Sequence, residues 1–108
     1  MADDRKQPQL VGTKSQIEWA EQIKPRVSAE FDRVAKAFAA VASKQQPRER
    51  DDTFAVIAIL EEKRADVMAK DQAGYFIRYW QELTDQVRKM ISQDSRYQAI
   101  KSNQKART

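Results

Sequence analysis

One apolar stripe constrains this chain more than any other feature. From Ile17 it continues through Ala20, Ile23, Val27, Phe31, Val34, Phe38 and Val41 in steps of three and four residues. Side chains at that spacing share one face of a helix with 3.6 residues per turn, whereas a strand would scatter them over both faces. The stripe is opened by Thr13 and Gln16, which have capping-box spacing: the hydroxyl accepts an amide proton of the first turn and the amide side chain reaches back. A helix is predicted from Lys14 to about Ser43. Pro25 lies inside it, removing one intrahelical bond and disfavouring helical geometry at Lys24. Either one helix kinks at Pro25 or two helices meet near Lys24, and the unbroken phase of the stripe favours the kinked helix.

Downstream, "KQQPRERDD" from Lys44 to Asp52 reads as a loop, with Asp51, Asp52 or Thr53 capping the next helix. Phe54 to Leu60 is a continuous apolar run containing the β-branched Val56, Ile57 and Ile59, so propensity alone permits a strand. With two glycines and three prolines in 108 residues, the chain lacks the turns a sheet needs, and helix is the better reading from about Thr53 to Arg64 or beyond. Lys70 and Asp71 mark a break. Phe76, Tyr79, Trp80, Leu83, Val87, Met90 and Ile91 then predict one further helix to about Ser92. The expected fold is all-α: a small bundle of three or four helices, with residues 1–12 a disordered arm, 13–93 the bundle and 94–108 a frayed basic tail. The long first stripe also permits a self-associating coiled coil.

The chain contains no cysteine and no histidine. Disulfides, the usual zinc sites and serine–histidine or cysteine–histidine nucleophile pairs are therefore excluded, and most enzyme chemistry goes with them. Glu18 with Glu21 and Glu82 with Asp85 are carboxylate pairs at helical spacing, but both sit among basic and amide residues and read as solvated surface. Ser102 and Lys105 match Ser-x-x-Lys without any supporting motif, and Gly12 and Gly74 make no phosphate loop. No catalytic, cofactor-binding or metal-ligating residue is assigned, and no enzyme activity is expected. No apolar run is long enough to span a membrane and the N-terminus is polar, so a cytoplasmic location is expected, with no membrane partner.

Net charge is +4, and the surplus lies in residues 13–44, six positive against four negative, and residues 93–108, four against one. Basic side chains placed to meet phosphates are Lys14, Lys24, Arg26, Arg33 and Lys36 on the first helix, Arg78 on the aromatic helix, and Arg96, Lys101, Lys105 and Arg107 in the tail. In "GYFIRYWQE" the aromatics Phe76, Tyr79 and Trp80 share a face with Leu83 and read as core, while Tyr75 and Arg78 fall partly off it. Trp19 lies beside the first stripe. Together with Glu18 it is the candidate protein-binding edge, since half-buried tryptophans anchor interfaces as well as seams.

The opening segment "GTKSQIEWAEQI", through Gly12, Thr13, Gln16, Ile17, Trp19, Ala20 and Ile23, resembles that of small helical proteins of unassigned function from bacterial, phage and plasmid genomes. A weaker likeness lies in "AGYFIRYW". The resemblance implies a bacterial or mobile-element origin and brings no activity. It also implies that the Trp-Ala-x-x-Ile face packs onto the later aromatic helix near Ala73 to Trp80. The expected function is that of a protein-interaction module, acting through a protein partner or self-association. The alternative is a nucleic-acid-binding accessory protein using the basic first helix and tail.

Overall fold

The computed structural model describes residues 9–107. They form five helices, α1 (Lys14–Ala42), α2 (Pro47–Met68), α3 (Ala73–Tyr79), α4 (Leu83–Ser92) and α5 (Ser95–Arg107), where the sequence predicts three or four. The protein is all-helical, with no strand among the described residues.

Both hydrogen bonds of the capping box are present, from the Gln16 amide to the Thr13 hydroxyl (3.2 Å) and from the Thr13 amide to Gln16 Oε1 (3.0 Å). Gly12 precedes it at φ +156°, where a Cβ would stand 2.9 Å from Gln16 Oε1 and 3.2 Å from Ala73 Cβ, so glycine is what lets the cap close against α3. Before it, Val11 donates to the Asp71 carbonyl (2.6 Å) and accepts from the Ala73 amide (2.9 Å), a single parallel bridge that ties residues of the expected arm to the α2–α3 turn. Residues 1–8 of that arm lie outside the described residues.

α1 runs through Pro25 without interruption for 29 residues, about 43 Å of helix. It is the axis of the fold, packing on α2, α3 and α4, while α5 packs on α2 and α4. Ala20, Ile23, Val27, Phe31 and Ala35 of the stripe face are buried. Val34 and Phe38 are only partly buried, and Val41 is 51% exposed.

Three predicted boundaries move. α2 starts at Pro47, inside the expected loop, because proline at the first helical position lacks only a donor that would be unpaired there anyway. Thr53, proposed as a cap, is buried in the helix interior and donates to Gln45 Oε1 (2.6 Å). The Phe54 to Leu60 run is helical, with Val56, Ile59 and Leu60 buried and Phe54 half-exposed.

The single aromatic helix divides at Trp80. Its amide still bonds Phe76 O (3.0 Å), and the Gln81 side chain donates to the orphaned Ile77 carbonyl (2.7 Å), closing α3. The indole is buried with its ring centroid 5.7 Å from that of Phe31. After the turn α4 lies against the C-terminal half of α1, and Val87 and Ile91 join the same core as Phe76.

The expected frayed tail is the helix α5. Asp94 accepts the Arg96 amide (2.8 Å) at its start, Tyr97 and Ile100 pack against the core, and Arg107 pairs with Asp52 at the far end. Two anchors and an apolar edge give it the tertiary support that a helix of this length needs.

Candidate interaction surface

A second row of residues runs along the solvent side of α1. Ser15, Trp19, Gln22, Arg26, Ala29, Arg33, Ala37 and Ala40 again follow steps of three and four, and all are exposed. Trp19 leaves half of its surface, 50%, in water at the N-terminal end of this row.

The C-terminal end of the row borders a groove of about 320 Å³ between α1, α4 and the start of α5. Its apolar lining comes from Val34, Ala37, Phe38, Val41, Ile91 and Tyr97, with the exposed Arg33 and Arg88 beside them. α4, ten residues long, flanks the groove through Thr84, Arg88 and Ile91. Arg33 is held by Glu30, whose carboxyl is kept below the usual range by the Arg33 guanidinium. Arg88 has no ion pair among the described residues.

The basic candidates do not gather into one patch. Lys24 is buried: its ammonium lies 3.4 Å from the Met68 carbonyl at the end of α2 and 5.4 Å from the centre of the Phe76 ring, and burial lowers its pKa. Taken out of solvent, it serves as a cation at a helix C-terminus and is unavailable to phosphates. Lys36 pairs with Asp32, Arg96 with Asp94 and Glu62, and Arg107 with Asp52. Lys101 lies over the Tyr97 ring at 5.7 Å, and Lys105 is exposed on the same helix. Lys14, Arg26 and Arg78 are exposed, but Lys14 and Arg33 stand some 28 Å apart along α1.

Of the aromatic segment, Phe76 and Trp80 are core as expected, but Tyr79 is half-exposed. Tyr75 is half-buried against Phe76 and Tyr79, with centroids 5.2 and 5.4 Å away. Glu18 is exposed beside Trp19. Ala20 and Ile23 of the opening motif are buried and α1 packs on α3, yet Trp19 of the same motif turns away from that contact.

One polar cluster was not visible in the sequence. Buried Asp94 accepts from Lys63 Nζ (2.9 Å) and from the Arg96 guanidinium (2.9 and 3.1 Å) as well as the Arg96 amide, and Arg96 also reaches Glu62 (3.0 Å). The Arg96 contact first and Lys63 second hold the Asp94 carboxyl well below the usual carboxylate range. The cluster fastens α5 to α2. Every charge in it is paired, which marks it as structural.

Among the described residues no group of acidic, histidine or cysteine side chains has the arrangement of a metal site, and no helix is long and apolar enough to cross a membrane. Comparison with protein-family models, curated proteins and solved structures gave no match.

Proposed function

We propose that this protein is a non-enzymatic interaction module that binds another protein chain through the solvent side of α1, from Trp19 to the groove at Val34–Val41. The observation that carries the reading is the coincidence of a half-exposed indole at one end of the solvent-side row of α1 with an open apolar groove bordering the other end of that row. Exposed apolar surface of this kind costs solubility unless it is used, and a tryptophan beside a groove is the usual anatomy of an interface anchor. In this reading the chain works in the cytoplasm of a bacterium, or is carried by a phage or plasmid, a setting for which the likeness of the opening segment is the support.

The nucleic-acid reading has weaker support. Lys24 is buried and Arg33, Lys36, Arg96 and Arg107 are already paired with carboxylates, so a phosphate would have to displace a resident partner.

The test is photo-crosslinking in cells with benzoylphenylalanine at position 19, at position 37, or at the exposed control Ala55 on α2. Protein adducts from 19 and 37 but not from 55 are expected. Equal yields at all three positions, or none, would overturn the reading, as would tight salt-dependent binding of oligonucleotides by the purified chain.

A further inference from the structure

Trp19 and Ala37 are 18 residues apart, which is five full turns of an α-helix. They therefore point the same way, with about 27 Å between them. Between them on the same side stands the exposed Arg26, while the largely buried Glu30 is taken by the Arg33 guanidinium. This layout is self-complementary under a two-fold rotation. If a second α1 is laid antiparallel on the first so that residue 19 meets residue 37, that relation occurs twice.

We infer that the partner of this surface is a second copy of the chain, in an antiparallel α1–α1 dimer where each Trp19 enters the other's groove beside Ala37. The inference rests on the interaction reading above and names its partner.

Three observations favour this occupant. The groove is of the right size: its 320 Å³ lies at the small end of the range of about 300–1,000 Å³ for ligand pockets, enough for one bulky aromatic side chain, and Ala37 at its wall leaves the room. Charge agrees as well. Arg88, exposed at the groove, has no ion pair among the described residues. Glu18, exposed beside Trp19, is delivered to the end of the groove that holds Arg33 and Arg88. Finally, a parallel pairing or any two-fold that stacks groove on groove would set arginine against arginine, so the antiparallel register is the one the charges permit. The overlap from Ser15 to Val41 is about 39 Å of helix, long enough for an interface of stable size when the groove walls contribute.

The test uses the purified full-length chain in sedimentation equilibrium over about two decades of concentration, with tryptophan emission, from Trp19 and the buried Trp80 together, followed in parallel. The mass should rise from 12.5 kDa toward twice that value while the emission moves to the blue. Trp19→Ala, and Ala37→Trp, which fills the groove from within, should each weaken association at least about tenfold with unchanged helical circular dichroism. Glu18→Arg should weaken it similarly, and Glu18→Arg combined with Arg88→Glu should recover most of the loss, because the reciprocal pairs are re-formed in reverse. A chain that stays monomeric throughout, a Trp19→Ala variant that associates as tightly as the original, or a double reversal without recovery would each overturn the dimer. If the chain is monomeric yet positions 19 and 37 still crosslink selectively in cells, the interaction reading survives and the partner is a different protein. A monomer without such adducts loses both.

Discussion

Replacing Asp94 by alanine should release α5 while leaving the rest of the fold in place. The Asp94 carboxylate caps α5 through the Arg96 amide at 2.8 Å and binds Lys63 and the Arg96 guanidinium, each at 2.9 Å. Loss of an acidic cap costs about 1 kcal/mol. The charge-assisted bonds to this buried carboxylate, discounted because their donors reach solvent, contribute about another 1 kcal/mol. Together, about 2 kcal/mol corresponds to an opening equilibrium about 30-fold more favourable. α5 has no fully buried residue, so it is the segment that yields. Hydrogen exchange read by mass spectrometry should show peptides from 95–107 exchanging about 30-fold faster, with those from the middle of α1 unchanged. If α5 keeps its protection, or if α1 loses as much as α5, the account of how α5 is attached is wrong. The same group sets an acid dependence. Its folded pKa is depressed, so its contribution is present in full above the ordinary aspartate range near pH 4 and is lost as pH falls through the folded value. Attachment of α5 should therefore weaken below about pH 4, and Asp94→Asn should flatten that dependence.

Gly12→Ala should lower the melting temperature by about 5–10 °C, since the added methyl meets Gln16 Oε1 at 2.9 Å on a backbone with φ of +156°; a melt within a degree or two of the original would contradict the role given to that glycine. Lys24→Glu should destabilise by about 3 kcal/mol in urea titrations, placing an unpaired carboxylate against the carbonyl end of α2. Phe31→Ala, which removes the ring facing Trp80, should cost about 3–5 kcal/mol and is expected to leave the chain largely unfolded at 37 °C. Trp19→Ala should lower the low-concentration stability by about 1–2 kcal/mol, because only half of that side chain is buried.

The helical class, the capped start of α1, its continuation across Pro25 and the core role of Phe76 and Trp80 were all legible, because each follows from local spacing. The boundaries that moved depend on information the local pattern lacks. Pro47 carries the same signature in a loop and at a first helical position. The turn at Trp80 has no glycine or proline to announce it and is set by the need of two apolar segments to reach one α1 face. α5 looked like a tail because its anchors, Lys63, Glu62 and Asp52, lie more than thirty residues upstream. Lys24 was misread because a lysine on a helix suggests solvent, while its position within the apolar arc, between Ile23 and Val27, already placed it inward. The proposed surface was half visible. Trp19 stood out in the sequence, but Val34, Phe38 and Val41 read as core, and only the placement of α4 and α5 beside them reveals that they are left partly uncovered.

The central position of α1 has a consequence during synthesis. The helix that every early contact requires leaves the ribosome first, and its apolar stripe has nothing to bury against until α2 follows, a further 26 residues later. At roughly 5–20 residues per second that is an interval of about one to five seconds. Throughout it the apolar stripe of α1 has no partner helix to bury it. The capping box and the arginine–glutamate pair within α1 are local, so the helix can form before its neighbours arrive, and the later helices then assemble onto a finished template.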